Sequence, residues 1–176
     1  WKNGVRHGHG VYQSPEGSRY EGQWKDDKRK GKGSLILSDG QSRYDGEWSN
    51  DTMNGKGKLI ILEGFIYDGD WKDGLFHGHG VFSEARGGSK YEGEWVDGKK
   101  HGKGTIVYRS QNRYEGEWKE DQIHGFGEMK YADGRVYIGE WKEGEYHGAG
   151  KLVAADGKVL HEGLFENDKP IKEQSK

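Results

Sequence analysis

The feature that most limits the fold of this chain is a unit of 23 or 24 residues that recurs from one end to the other. All seven tryptophans share one register, at positions 1, 24, 48, 71, 95, 118 and 141, and Phe165 continues it. A tyrosine stands four residues before most of these tryptophans, and a Gly-x-Gly segment begins seven residues after each of them. Such a period indicates a repeat protein, in which each unit buries its apolar face against its neighbours.

Each unit contains two turn signals, which predict two antiparallel strands. Between the tryptophan and Gly-x-Gly stands a pair such as Asp73-Gly74 or Asn50-Asp51, and these residues tolerate the positive φ of a type I′ hairpin turn. A second signal, such as Asp133-Gly134, follows the Gly-x-Gly segment. The sequence therefore predicts an all-β fold, a meander of about fourteen strands built from stacked antiparallel hairpins.

A two-residue loop at Asp97-Gly98 predicts the pairing within one unit. Counted outward from that loop, Trp95 faces Lys100, Glu94 faces His101, Gly93 faces Gly102, Glu92 faces Lys103 and Tyr91 faces Gly104. Because side chains alternate along a strand, the tyrosine, glycine and tryptophan share one face with both glycines of Gly-x-Gly, while charged side chains occupy the other. We expect the rings to lie flat over bare glycine backbone.

The unit Y-x-G-x-W-x-x-G-x-x-x-G-x-G resembles the MORN (membrane occupation and recognition nexus) repeat, most closely at residues 91–104. The resemblance covers residues 1 to about 169, with an incomplete first repeat and a last one in which His161 and Phe165 replace Tyr and Trp. It implies an elongated solenoid whose twisted sheet curls into a half-tube. We expect residues 1–176 to form one array of about seven repeats within a longer protein, with 161–176 as a degenerate C-terminal cap.

No set of residues predicts catalysis or a bound cofactor. The stretch Gly98–Thr105 is one residue short of a phosphate-binding loop and lies within a hairpin rather than between a strand and a helix. The polar residues recur as a periodic ladder, whereas an active site needs one unique constellation. We therefore predict a protein that is not an enzyme and has no small-molecule substrate.

Five histidines occupy one repeat position, at 7, 77, 101, 124 and 147. Equivalent positions lie two strands apart, roughly 10 Å, whereas zinc ligands lie about 2 Å from one ion. The register instead predicts four cross-strand acid–histidine pairs: Asp70–His77, Glu94–His101, Glu117–His124 and Glu140–His147. The pairs His7–His9 and His77–His79 leave open a metal shared across a dimer contact, although we predict no metal site.

Composition and family resemblance together favour a binding function. The net charge of -2 lacks the basic footprint of a nucleic-acid-binding protein, and no cysteine or long apolar run is present. The MORN family includes scaffolds, membrane-apposition modules, cytoskeletal components and appendages to enzymes. We predict a cytoplasmic scaffold, with cytoskeletal or membrane association left open, that binds a partner helix or extended peptide; a homodimer also stays open.

The predicted partner-binding residues are the aromatic rows and the residues that face tryptophan across the hairpin. They are Tyr20, Trp24, Tyr44, Trp48, Met53, Tyr67, Trp71, Phe76, Tyr91, Trp95, Tyr114, Trp118, Ile123, Tyr137, Trp141 and Tyr146. The alternative function is binding of anionic phospholipid headgroups by basic hairpin tips. Its residues are Lys25, Lys28, Arg29, Lys30, Lys32, Lys99, Lys100 and Lys103.

Overall fold

The computed structural model describes residues 2–171, which form antiparallel β-structure as predicted. Fifteen strands lie in one sheet in chain order, each hydrogen-bonded to the next. Their bounds are β1 Gly8–Gln13, β2 Arg19–Lys25, β3 Lys28–Ile36, β4 Arg43–Ser49, β5 Thr52–Ile61, β6 Phe65–Lys72, β7 Leu75–Glu84, β8 Lys90–Val96, β9 Lys99–Val107, β10 Arg113–Lys119, β11 Gln122–Lys130, β12 Val136–Lys142, β13 Glu145–Val153, β14 Val159–Glu166 and β15 Lys169–Pro170. Nothing in this described range forms a helix of the length and apolarity needed to cross a membrane.

The strands divide between two compact units. Unit 1 contains the residues up to Gly87 together with Trp95–Gly98, and unit 2 contains Gly88–Glu94 together with the residues from Lys99 onward. Both units are built from the same alternation of a Tyr-x-Gly-x-Trp strand and a Gly-x-Gly strand. Trp1, the first member of the tryptophan row, and residues 172–176 of the predicted cap lie outside the described residues.

The hairpin turn after each tryptophan has the predicted type I′ conformation. Both turn residues have positive φ, with 48° and 82° at Asp97 and Gly98 and 50° and 65° at Asp26 and Asp27. An aspartate in the second turn position makes a bond that glycine cannot make. The carboxylate of Asp27 accepts a hydrogen bond of 2.8 Å from the backbone N–H of Arg6, in the preceding repeat.

The predicted register is right beside the turn and wrong beyond it. Trp118 faces Ile123 as expected, but Gly116 then faces Gly127 instead of Gly125. In the repeat used for the prediction, Gly93 likewise lies against Gly104, not Gly102: a Cβ built on Gly93 would be 2.5 Å from the Gly104 Cα. The shift is two residues, so residues beyond the bulge stay on their predicted faces. Gly102 does not, because a Cβ built on it would meet the Glu94 carboxylate of the charged face instead of the aromatic rings.

A β-bulge at the first glycine of Gly-x-Gly causes this shift. Gly102 has a φ of 57°, and a Cβ there would lie 2.6 Å from the Glu94 carboxyl carbon. Oε1 of Glu94 accepts a hydrogen bond of 3.1 Å from the backbone N–H of Lys103. The acid before the tryptophan therefore binds the backbone of the bulge. Strand alternation could not predict this contact, because the bulge adds residues to one strand only.

The predicted acid–histidine pairing is consequently wrong for Glu94, Glu117 and Glu140, whose carboxylates meet the bulge instead of a histidine. The carboxylates of Glu117 and Glu140 lie against the bulge glycines Gly125 and Gly148, in the way that Glu94 lies against Gly102. Asp70 does face His77 in the strand register, but its side chain binds elsewhere. Its carboxylate lies 2.5 Å from the Lys56 ammonium and accepts the His79 backbone N–H at 3.0 Å.

The core of each unit is a layer of interlocked tyrosine and tryptophan rings. Tyr114 lies flat over Gly127, and its hydroxyl donates a hydrogen bond of 2.9 Å to the Glu117 carbonyl. Its ring packs edge-on against both Trp118 and Trp141, at 5.4 Å between ring centroids. Within unit 1, Tyr44 likewise packs against both Trp48 and Trp71, so tyrosines inside a unit join the tryptophan of one repeat to that of the next. Both kinds of ring are almost fully buried.

Two further features complete the core. The indole N–H of each described tryptophan donates to the carbonyl of the second glycine in the preceding Gly-x-Gly, as Trp118 does to Gly104 at 3.1 Å. A third apolar row, which our sequence reading did not single out, stands two residues after each Gly-x-Gly and faces the tyrosines. Its members are Tyr12, Leu35, Leu59, Phe82, Ile106, Met129 and Leu152.

A methyl group between paired glycines should destabilise the protein far more than one in an open turn. A Cβ on Gly116 would lie 2.5 Å from the Gly127 Cα, so we expect Gly116→Ala to cost about 3 kcal/mol of unfolding free energy. The control is Gly157→Ala in the same unit, where φ is 84° and no other atom lies within 4 Å of the added Cβ. There the unfolding free energy should fall by only about 1 kcal/mol, because alanine is disfavoured in the left-handed backbone conformation. Denaturant unfolding measures both, and equal losses would contradict the close-packing account.

Alkaline pH should unfold the protein through its tyrosines. Burial raises the pKa of Tyr20 and of Tyr137 to about 12, whereas unfolded tyrosine ionises near pH ~10. The unfolded state therefore releases protons first, so the stability that these groups contribute is complete below about pH 10 and is lost as the pH rises toward 12. Denaturant titrations at successive pH values should show this fall. Phenolate absorbance that rises near pH ~10 while the fold stays intact would contradict it.

Candidate functional site

The residue five positions after each tryptophan is the most variable member of the aromatic face. We call these residues the variable row: Arg6, Arg29, Met53, Phe76, Lys100, Ile123 and Tyr146. The strand register confirms the predicted pairing, with Trp24 facing Arg29, Trp71 facing Phe76, and Trp141 facing Tyr146. Arg6 was not among the predicted site residues, although the repeat spacing from Trp1 could have identified it.

Each variable-row residue contacts the hairpin turn of the next repeat. The Arg29 guanidinium lies 4.2 Å from the Trp48 ring centroid, and its Nε lies 3.2 Å from Oδ1 of Asp51. That oxygen also accepts the Arg29 backbone N–H at 2.8 Å, and the Asp51 N–H donates to the Arg29 carbonyl at 3.2 Å. The cation is therefore held over an aromatic ring by an acid in the following turn.

The second turn residue varies together with the row residue of the preceding repeat. It is aspartate where the row residue is Arg6, Arg29, Lys100 or Tyr146, and in each case the aspartate accepts that residue's backbone N–H. It is glycine (Gly74, Gly98, Gly144) where the row residue is Met53, Phe76 or Ile123, and there the glycine N–H donates to the row carbonyl. Row and turn residues therefore occur in two combinations, one with aspartate and one with glycine in the turn.

Most of the predicted partner-binding rings are buried within the sheet's own packing. The six tyrosines of the repeat position are at most 2 % exposed, and the described tryptophans 4–7 %. Ile123 and Tyr146 are also buried, whereas Met53 and Phe76 are half-buried. Phe76 stacks on Tyr67 with centroids 3.8 Å apart and planes at 9°. A partner-binding role for these residues stays a prediction.

In unit 2, large side chains cover the aromatic face at the variable-row residue Tyr146. The hydroxyls of Tyr131 and Tyr146 are hydrogen-bonded to each other, and the Arg135 guanidinium lies 4.9 Å from the Tyr131 ring centroid. Burial raises the pKa of the Tyr131 hydroxyl. These groups therefore cover the variable-row residue Tyr146.

Small side chains leave the corresponding place in unit 1 open. Ser14 and Ser18 occupy the repeat positions of Tyr131 and Arg135, and they bond to each other through their hydroxyls at 2.8 Å. A cavity of about 350 Å³ lies beside them. Its walls are Arg6, Tyr12, Ser18, Tyr20, Trp24, Arg29, Leu35 and Asp51.

Two guanidinium groups line this cavity. Each uses Nε and Nη2 on an aspartate, as Arg6 does with Oδ1 and the carbonyl oxygen of Asp27 at 3.1 and 3.0 Å. Hydrogen bonds from the Arg6 backbone and side chain hold the pKa of Asp27 below its usual range. Within residues 2–171, neither Nη1 atom has a hydrogen-bond acceptor. The side chains of Arg6 and Arg29 are 33 % and 25 % exposed, and both residues line the cavity.

The predicted lipid-binding residues do not form one uniform tip. Arg29 and Lys100 belong to the variable row and pair with Asp51 and Asp121. Lys25 and Lys28 face each other across a hairpin, and Lys30 and Lys32 follow, all four exposed. In unit 2, Lys99 lies 3.9 Å from Glu120, and the Lys103 backbone bonds Glu94.

Two histidines of the row, His7 and His77, contact the first turn residue of the next repeat. Nδ1 of His77 lies 3.4 Å from both the backbone nitrogen and Oδ1 of Asp97, and Nδ1 of His7 lies 3.7 Å from Oδ1 of Asp26. In the described range no three histidine or acidic side chains come together in a way that could hold a metal ion.

The opposite face carries charges in ion pairs between strands, such as Lys58–Asp68 at 3.5 Å and Lys151–Glu162 at 2.9 Å. It agrees with the predicted ladder of opposite charges. Phe126 and Leu164 interrupt the ladder in unit 2 and are 58 % and 55 % exposed.

Comparison with solved structures gives matches at low sequence identity, among them a TCP domain and a TCP10 domain. The TCP domain of SAS-4 (dCPAP) of Drosophila melanogaster, in complex with a proline-rich motif of Ana2 (dSTIL), is 14% identical over 90% of each chain, with a TM-score of 0.42. The wild-type TCP10 domain of Danio rerio CPAP is 11% identical over 89% of each chain, with a TM-score of 0.29. A search among curated proteins finds no match to the chain.

Comparison with protein families gives a match along most of the chain. The model of the MORN repeat matches residues 1–19, 20–42, 44–61, 67–88, 91–113, 114–134 and 137–159. These segments follow the tyrosine, glycine and tryptophan register of the core, and the chain belongs to the MORN repeat family.

Proposed function

We propose that this chain is a non-catalytic scaffold that binds a helical or extended segment of a partner protein on the aromatic face of unit 1. The observation that carries this proposal is the variable row: residues of different chemistry, among them Arg29, Met53 and Phe76, stand at one position of an otherwise uniform repeat. Surfaces of this kind supply recognition on a rigid repeat scaffold. Location in the cytoplasm, cytoskeletal association and dimerisation stay predictions.

The hydrogen bonds of the core support assigning recognition to this row. The tryptophan N–H groups and tyrosine hydroxyls donate to backbone carbonyls within the sheet, as Trp48 does to Gly33 and Tyr44 does to Glu47. They have no donor left for a partner. Specific contacts must therefore come from the row and from the side chains beside it.

The spacing of the row suits a regular partner segment. Row residues in adjacent repeats lie two strands apart, about 10 Å. That distance equals about seven residues of a helix or three residues of an extended strand. Because the row lies on an ordered aromatic layer, little conformational entropy should be lost on its side when a partner binds.

A paired exchange in the variable row should weaken peptide binding without unfolding the protein. Peptides would be selected from a random displayed library on the wild-type chain, and their dissociation constants measured by fluorescence anisotropy. The variant is Phe76→Lys with Gly98→Asp, which copies the Lys100–Asp121 pair of unit 2. Loss of an apolar anchor should weaken binding at least about tenfold, or 1.4 kcal/mol.

Two controls separate this proposal from its alternatives. Phe126 lies on the opposite, charged face, so Phe126→Ser should leave peptide binding unchanged. Peptides that bind the row variant at full strength but fail on Phe126→Ser would contradict the proposal. Binding to phosphatidylserine vesicles that disappears in high salt, and also in Lys28→Glu with Lys30→Glu, would instead favour the lipid function.

A further inference from the structure

We infer that the cavity between Arg6 and Arg29 is an anion-binding subsite that takes acidic side chains of an extended partner segment. The inference rests on the proposed function, since it names the chemistry of the segment that the aromatic face of unit 1 receives. It concerns a different part of that face from Phe76, so the two can fail separately.

Comparison between repeats shows that the cavity lies beside two positions that carry large side chains in another repeat. In unit 2 the same positions hold Tyr131 and Arg135, which cover Tyr146. In unit 1 they hold Ser14 and Ser18, whose short side chains leave about 350 Å³ open beside Arg29. That volume lies at the lower end of the range for ligand clefts, about 300–1,000 Å³.

Charge decides which ligand fits. The charged walls of the cavity are two arginines and one aspartate, Asp51, whose Oδ1 already accepts two hydrogen bonds from Arg29. Both N–H donors of each Nη1, and the second N–H of each Nη2, remain available on Arg6 and Arg29. Guanidinium groups bind carboxylates through strong, charge-assisted hydrogen bonds, and Ser18 adds a hydroxyl at the wall.

The two arginines are already held in position. Each guanidinium lies over an indole ring, Arg6 at 4.1 Å from the Trp24 centroid and Arg29 at 4.2 Å from that of Trp48. Asp27 binds the Nε edge of the Arg6 guanidinium, and Asp51 binds the Nε edge of the Arg29 guanidinium. Little side-chain entropy should therefore be lost when an acid binds.

Geometry sets the spacing of the acids. Row positions of adjacent repeats lie two strands, about 10 Å, apart, and an extended chain advances about 3.3 Å per residue. Two acidic residues three positions apart in the partner can therefore each reach one of the two arginines. An apolar residue between them would contact Tyr12 and Leu35. The occupant is therefore an extended segment of the form acid-x-apolar-acid.

The test uses a labelled synthetic peptide that contains Glu-Ser-Leu-Glu and its isostere Gln-Ser-Leu-Gln, with the whole chain. We expect the acidic peptide to bind at least about tenfold more tightly than the amide peptide, and to weaken as salt rises. In nitrogen-15 spectra, the indole N–H signals of Trp24 and Trp48 should shift, whereas those of Trp118 and Trp141 should not. Equal binding of the two peptides would overturn the inference.

Two paired variants locate the site while preserving the fold. Arg29→Met with Asp51→Gly copies the Met53–Gly74 pair of the next repeat and removes one cation. Ser14→Tyr with Ser18→Asn copies Tyr108 and Asn112, which occupy these two positions in a repeat of unit 2, and fills the cavity without adding a charge. Each should weaken the acidic peptide about tenfold or more, and unfolding curves close to the wild type would show that each is folded.

The matched control is Lys28→Ser with Lys30→Ser, which removes two exposed charges from the same hairpin but none from the cavity. It should weaken the acidic peptide less than twofold. A loss equal to that of the cavity variants would mean nonspecific attraction and would overturn the inference. If the cavity variants bind normally while library-selected peptides still require Phe76, this subsite is wrong and the scaffold function stands.

Discussion

Every repeat of this protein depends on the contact between two glycines on neighbouring strands. At Gly116 and Gly127 the backbones approach so closely that a single methyl group would lie 2.5 Å from the opposite Cα. The absence of both side chains lets the Tyr114 ring lie on the backbone and donate to the Glu117 carbonyl. The ring in turn supports Trp118 and Trp141, so the stacking of repeats follows from this one close approach.

This packing also limits where recognition can occur. The aromatic rings are buried and their polar hydrogens are bound within the sheet, so the largest apolar groups of the chain hold it together. The variable row is joined to the next repeat through one turn residue and the aromatic ring beside it, as Arg29 is to Asp51 and Trp48. Different chemistry can therefore be placed at this position while the layer beneath it stays the same.

Row and turn residues have to be exchanged together. Asp51 both accepts the Arg29 backbone N–H and pairs with its guanidinium. Arg29→Met alone would leave that carboxylate without its cation, whereas the natural Met53–Gly74 pair has neither group. The repeats thus supply their own matched substitutions. In the same way, Ser14 and Ser18 against Tyr131 and Arg135 show how two positions open or close the aromatic face.

The sequence by itself determined the strand order, the type I′ turns and the residues of each face, because turn chemistry and strand alternation are local properties. It also placed Arg29 and Phe76 opposite tryptophan. Only the tertiary structure decided the register beyond Trp118, because the bulge at Gly125 depends on the Glu117 carboxylate that packs against it. It alone decided which rings are buried and that Arg6 and Arg29 line one cavity. Those groups lie 23 residues apart in the chain and meet only when successive repeats stack.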